Sequence, residues 1–402
     1  IQQSVLAILK KEVNSFFSSP IAYLVIGLFL LGNGLFLWVF NGGYNILDAG
    51  FADLSSFFSL APWIFLFLIP ALCMKSFAEE YKQSTFELLL TRPLTRWQLV
   101  LGKYLGAVLL VVLSLLPTLI YLYTISELGK PAGNFDTGAA IGSYLGLLFL
   151  GACYVAIGIF ASSITENQIV AFILGVLLCF LCFFGFEALG NLGGFWGSGI
   201  RGLGIGAHYE SISRGVLDTR DLIYFFSFIF FFLLLTRFNL DYKASGVMRN
   251  KRTYLFKGLL LLGLLILLNA LGSQFFFRWD LTQDKRYTLS PAAKQLIEQV
   301  DHPLIVDVFL AGDFPAEFRK LQQETRQMLE EFQAYNRRIQ FNFIDPLEDE
   351  GDANEIATQF YQMGMTPARI NVVENGRSSE SIIFPWAMAN YGEKSVVVPL
   401  MR

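Results

Sequence analysis

Few residues in this 402-residue chain are placed to do covalent chemistry. It has two histidines, His208 and His302, and four cysteines, Cys73, Cys153, Cys179 and Cys182. Cys179 and Cys182 have the spacing of a redox pair, but they sit in an apolar run with no neighbouring base to stabilise a thiolate. They read as small packing residues. His208 invites a metal or proton-relay role, yet no acid follows at i+4, and a structural hydrogen bond suits it better. A phosphate-binding loop needs G-x-x-x-x-G-K-[ST], whose backbone donors cradle phosphates. The nearest approach is Gly102-Lys103-Tyr104, with Trp97 where the first glycine should stand. The acids Asp345, Glu348, Asp349, Glu350 and Asp352 lack the alternating spacing of a calcium loop and read as a solvated turn. No catalytic residue, metal site or directly bound cofactor is expected.

The elements that would carry any other function are set by composition. The chain is 54% hydrophobic and 16% charged, with 40 phenylalanines. Soluble domains carry about 25% charged residues, so this apolar surplus points to a bilayer. Runs near 21–40, 54–74, 104–124, 141–164, 168–189 and 221–236 each approach the ~20 residues a spanning helix needs, and a seventh lies near 254–277. Beyond Phe277 acidic residues outnumber basic ones 19 to 13, whereas before it bases lead 17 to 14. Basic residues cluster before the first run, between the second and third, and between the sixth and seventh. That bias predicts a cytoplasmic N-terminus, seven crossings and an acidic C-terminal domain outside. Asn33 and Asn269 within the runs are expected to make interhelical hydrogen bonds. Because the sequence opens on Ile1 and closes just after a strand-like run, the natural chain is expected to extend further.

One polar stretch stands out between two apolar runs, "SFAEEYKQSTFELLLTRPLTRWQLVLGKYLG" at 76–106. Its first half reads as a short amphipathic helix with Phe86, Leu89 and Leu90 on one face. Thr85 is placed to cap its start, and Pro93 ends it. Arg96, Trp97 and Lys103 then fall at headgroup depth. On periodicity alone the stretch serves equally well as a lever beside the bilayer or as an interfacial anchor with no partner.

These residues resemble the first cytoplasmic loop of ABC-2-type permeases. Ser76, Phe77, Ala78, Glu79, Glu80, Thr85, Glu87, Leu88 to Thr91, Pro93, Arg96, Trp97, Val100, Leu101, Gly102 and Lys103 match its pattern in type and spacing. Lys75 replaces the usual Arg. Ser84 replaces the usual Gly and is expected to take an ordinary helical or capping conformation. The resemblance implies a coupling helix that docks on a separate ATPase subunit, through Glu79, Glu80, Thr85, Glu87, Leu89, Arg92, Pro93, Arg96, Gly102 and Lys103. ATP and magnesium would then sit on that partner. "HYESISRGVLDTRDLIYF" (208–225) is similar to the same family's approach to its last span. Its His208, Gly215, Asp218 and Asp221, with Glu187 near the end of the fifth run, form a possible exit gate. The glycine-rich stretch before His208 is expected to make a re-entrant hairpin.

The remainder alternates strand and helix: a helix capped by Ser290 with Pro291 first, a strand at 304–312, a helix at 315–336 and a strand at 339–346. A further helix near 353–363 and strands at "ARINVVEN" and "KSVVVPL" complete a small α/β layer. "DLTQDKRYTLS", "VFLAGDFP" and "FNFIDP" resemble the auxiliary subunit of gliding-motility-type ABC transporters.

Together these readings give an α-helical polytopic membrane protein: a six-span permease (1–240), a cytoplasmic linker (241–257), a seventh helix (254–277) and an extracytoplasmic, thioredoxin-like α/β domain (278–402). The implied setting is the bacterial inner membrane. The partners are a cytoplasmic ABC ATPase, a second permease copy, envelope proteins at the outer domain and the bilayer, without nucleic acid. Two functions compete, ATP-driven export and a mechanical role in gliding or surface secretion.

Overall fold

In lipid an apolar run can satisfy its backbone N–H and C=O groups only as a helix or a closed barrel, and these runs are helices. The structure is a computed structural model. It describes residues 2–49, 52–87, 94–130, 133, 135–192, 200–245, 251–274, 277–283, 285, 288–312, 316–336, 338–347, 353–374, 377–392 and 394–401. It divides into two compact units, 1–285 and 286–402, so the division falls later than 278.

The first unit begins with α1 (Gln2–Ser18), followed by α2 (Ile21–Trp38), α3 (Ser55–Cys73) and the short α4 (Ala78–Lys82). Next come α5 (Arg96–Leu115), α6 (Ile120–Leu128), α7 (Thr137–Ile164), α8 (Gln168–Phe180), α9 (Phe186–Leu192) and α10 (Ile205–Ser213). The long helices α11 (Thr219–Ser245) and α12 (Lys251–Gln274) close it. Among the described residues six helical runs are long and apolar enough to cross a membrane: Ile21–Trp38, Ser55–Lys82, Arg96–Leu128, Thr137–Ile164, Gln168–Gly190 and Thr219–Ala244. Within α12 the described residues include the apolar stretch Leu262–Gly272.

Side-chain caps set several helix starts. Asp136 accepts from Ala139 N at 2.9 Å, and Asn167 accepts from Ile169 N at the same distance. Thr95 and Gln98 form a reciprocal capping box at the start of α5. Asn269 donates to Ser227 Oγ of α11 at 2.8 Å, the interhelical bond expected of it. Asn33 does otherwise: it is buried and donates to Phe29 O of its own helix at 2.8 Å. The preceding turn supplies its acceptor, at the residue whose ring stacks on Phe65 of α3.

Polar contacts sort the helix ends into two groups. Arg96 at the start of α5 pairs with Asp241 near the end of α11. Asn239 of α11 donates to Ser163 O at the end of α7 at 2.6 Å. At the other end, Tyr209 of α10 donates to Phe58 O near the start of α3 at 2.6 Å. There a two-stranded strap joins β1 (Val216–Asp218) antiparallel to β2 (Arg278–Asp280), just after α12. The strap requires α11 and α12 to run out and back as a hairpin. These three-residue strands are too short to show a readable period in the sequence.

The helix α7 is the hub, contacting α3, α5, α8, α10 and α11. Small residues let neighbours approach its backbone. A Cβ on Gly142 would stand 2.5 Å from Gly215 Cα, and Gly215 itself has φ +87°.

The second unit holds a four-stranded sheet in the order β4 (Ile339–Phe343), β3 (Leu304–Val308), β7 (Trp386–Tyr391), β8 (Lys394–Pro399). Its β3 and β4 are parallel, joined through α14 (Ala316–Tyr335), and the other two pairings are antiparallel. The helices α13 (Pro291–Glu298, capped by Ser290) and α15 (Ala353–Gln362) complete it. The hairpin β5 (Ala368–Glu374) and β6 (Arg377–Ile383) forms a separate sheet. Val306, Val308, Phe318, Leu329 and Ala387 form one small core, and Phe309, Ala357, Met365 and Phe384 another. Of the acidic run, Asp345 accepts from Leu347 N at 2.9 Å as a turn residue. Residues 348–352 lie outside the described residues.

Gly142→Ala should lower thermal stability in detergent by roughly 1–3 kcal/mol, since backbone atoms cannot give way. Gly27→Ala, with nothing within 4 Å, should melt with the parent protein.

Candidate functional site

The 76–103 stretch is organised around one buried ammonium. Lys103 of α5, only 3% exposed, lies 3.0 Å from Glu12 Oε1 of α1 and 2.9 Å from Glu80 Oε1 of α4. The Phe77 ring covers it at 5.2 Å. One cation between two carboxylates compensates its own desolvation only if both stay in place. Three elements distant in sequence are thereby held as one body. Gly102 makes the geometry possible, because a Cβ there would meet Ile8 of α1 at 2.5 Å.

The α4 backbone is held from a second side. Ser162 Oγ of α7 accepts from Phe77 N at 2.9 Å and Ala78 N at 3.1 Å, and donates to Met74 O at 2.9 Å. Lys243 of α11 lies over the Tyr81 ring at 3.7 Å, and Arg237 over Trp97 at 5.2 Å. Beside the clamp an open cleft of about 540 Å³ is bordered by Lys11, Ser15, Lys75, Glu79, Gln83 and Thr85.

Of the residues singled out from the sequence, Glu80, Gly102 and Lys103 face inward, and Arg96 is tied to Asp241. Glu79, half-buried beside the cleft, accepts from Gln83 Nε2 at 3.1 Å, and Glu87 is exposed. Leu89, Arg92 and Pro93 lie outside the described residues, as does Leu90.

Three expectations are corrected. The stretch is not one continuous helix: α4 ends at Lys82, a turn follows, and helix resumes at Thr85. Thr85 does not cap the start but donates back to Glu80 O at 3.3 Å. Ser84 is neither helical nor a cap; its φ of +56° is left-handed. The turn demands the glycine-like conformation, and serine adopts it against its Cβ preference.

At the opposite helix ends a second polar cluster gathers four of the five gate residues. His208 Nδ1 is 2.6 Å from Asp221 Oδ1, and its Nε2 is 2.9 Å from Gly202 O. Ser211 donates to Asp221 Oδ2 at 2.7 Å. Asp218, fully buried, takes Arg278 Nε at 2.7 Å and Arg220 at 3.1 Å. Gly215 is the turn pressed on α7. Glu187 is exposed on α9, and no described contact joins it to this cluster. Residues 193–199, where the re-entrant hairpin was expected, lie outside the described residues. Burial pushes the Tyr209 phenol up, keeping it a donor to Phe58 O. The cysteines are free and buried.

The partners Glu12 and Arg278 were missed. In the structure Glu12 lies one turn after Ile8, on the α1 face that meets Gly102 and Gly106, which no local sequence pattern signals. Residues 6–194 match the family model for ABC-2 family transporter protein. That match, beginning in α1, supports a transmembrane transporter subunit, and with the six apolar helices it marks a multi-pass membrane protein. Residues 283–390 match a second model, Domain of unknown function (DUF7088). No curated protein matches the chain.

Lys103→Met should cost about 3–5 kcal/mol by stranding two carboxylates, and adding Glu12→Gln and Glu80→Gln should recover a large part in chemical denaturation. Ser84→Gly should raise stability by roughly 1 kcal/mol, the cost of a Cβ in the left-handed region.

Proposed function

We propose that this chain is the membrane subunit of an ABC-2-type transporter, driven by a separate cytoplasmic ATPase that docks on the 76–87 segment and moves the helices to export a substrate. The Lys103 clamp is the observation that carries this reading. A push on α4 is shared at once with α1 and α5, because breaking the clamp would strand buried charge. The exposed Glu87 and the cleft-side Glu79 are acidic groups at the surface of the described part of the segment, placed to meet a partner.

The finer reading follows from the same frame. The clamp end faces the cytoplasm of a bacterial inner membrane, where the basic residues cluster. The β1–β2 strap favours α12 as a seventh crossing, which carries 286–402 outside as an auxiliary domain of the gliding-motility type. The strand order β4-β3-β7-β8, with β7 antiparallel to the parallel pair and β8 antiparallel to β7, supports a thioredoxin-like fold for it. Two copies would complete a pathway, and ATP with magnesium stays on the partner. The strap also favours a second reading, a machine that delivers movement to envelope proteins without moving a solute, since it ties the chain after α12 to the permease helices.

Glu79→Lys with Glu87→Lys should cut recovery of the co-expressed ATPase about tenfold, as charge reversal at a polar rim does, while the melting temperature is kept. Unchanged recovery in a folded variant would sink the docking assignment. ATP-dependent flux in liposomes separates export from the mechanical reading.

A further inference from the structure

Both ring nitrogens of His208 face oxygens that act as acceptors. Nδ1 meets the Asp221 carboxylate at 2.6 Å, and Nε2 meets the Gly202 carbonyl at 2.9 Å. A neutral imidazole offers one N–H and one lone pair, so it can satisfy one of these oxygens and must repel the other. The imidazolium satisfies both. Asp221 is arranged as a carboxylate: its second oxygen accepts from Ser211 Oγ at 2.7 Å, and Arg220 Nε lies 3.8 Å from the first.

The surroundings decide what the proton controls. From α11 the ring meets Asp221 and lies flat on Tyr224, with centroids 3.8 Å apart at 18°. The charges one step further out are Arg220, which bridges Asp221 and Asp218, and Arg278, which holds Asp218. On its own helix Glu210 pairs with Arg214. Tyr224 donates to Leu203 O at 2.7 Å. Two successive carbonyls, of residues 202 and 203, are therefore held at one place, one by a titratable group and one by a phenol. The segment rests on an irregular part of the fifth run, where Leu181–Gly185 forms a π-helical turn. A Cβ on Gly206 would stand 2.6 Å from Phe183 O, and one on Gly204 3.1 Å from Phe186 Cβ. Such π-turns recur at functional sites, and this seat has backbone against backbone.

We propose that His208 is a proton-operated latch: its imidazolium ties the Gly202 backbone to α11 through Asp221, and loss of the ring proton frees residues 200–202 while Tyr224 keeps Leu203 in place. The Gly202 bond is present while the ring carries both protons and is lost when it gives one up. The change is local, because α10 keeps its Ser211–Asp221 and Tyr209–Phe58 bonds in either state. The latch needs no partner subunit and stands apart from the docking assignment.

The test uses the full chain in lipid nanodiscs with isotope-labelled histidine. His302→Gln leaves His208 as the one labelled imidazole. Nitrogen chemical shifts followed across a pH series should show both ring nitrogens protonated at the acid end and one bare nitrogen at the alkaline end. Over the same series, hydrogen exchange of residues 200–204, corrected for intrinsic rates, should quicken by about fivefold, a local opening. His208→Gln should abolish that step. A ring carrying a single proton at the acid end overturns the latch, and so does an exchange step that survives in His208→Gln. The spectrum needs no His208 variant, so a variant that fails to fold leaves the test intact.

Discussion

A lysine ammonium cannot be left unpaired in an apolar interior, and the half of this molecule that holds 76–103 is arranged around that constraint. Lys103 is 3% exposed, so transfer from water costs several kcal/mol, which only close opposite charge offsets. Glu12 and Glu80 supply it from two other elements. Neither carboxylate can leave alone without stranding charge. The arrangement therefore works less as a source of net stability than as a registry device, fixing α1, α4 and α5 in one relative position. Gly102 follows from the same demand, since α1 must come close enough for a glutamate to reach the ammonium.

The opposite helix ends solve a different problem with the same groups. Asp218 is buried between two arginines, while Asp221 is shared between a histidine and a serine. Arginine stays charged under all ordinary conditions, whereas histidine does not. This end of the bundle is thus held mainly by groups of fixed charge, with one group beside them whose charge can change. Both clusters lie at helix ends because the apolar middles cannot hold an ion cheaply.

Much of this was legible in the sequence, and what was missed shares a cause. The apolar runs, the Ser290 cap and most of the second unit's elements could be read because each is a local pattern of propensity and period. The clamp could not, because Glu12 and Lys103 stand 91 residues apart and nothing local records that they meet. Ser84 misled for the opposite reason: serine has a good local conformation, and the turn after Lys82 overrides it. Strands β6 and β7, "RSSESII" and "WAMANY", escaped because one is nearly all polar and the other lacks a clean alternation. The interhelical bond expected of Asn33 gives way to an acceptor one turn back in its own helix.

The two polar clusters are joined by a helix that is almost wholly interior. In α7, 78% of the spanning window is buried, and its contacts are unusually close. A Cβ on Gly151 would meet Val111 at 2.7 Å, and one on Gly158 would meet Cys73 at 2.7 Å. Close-packed interiors transmit displacement rather than absorb it. Ser162 near one end of this rod holds the Phe77 and Ala78 amides, and Gly142 near the other presses on the Gly215 turn. A displacement of α4 therefore has a continuous route of backbone-distance contacts to the strap and the His208 segment. The helix need not bend to use it, because a rod fixed at both ends moves both when either is moved.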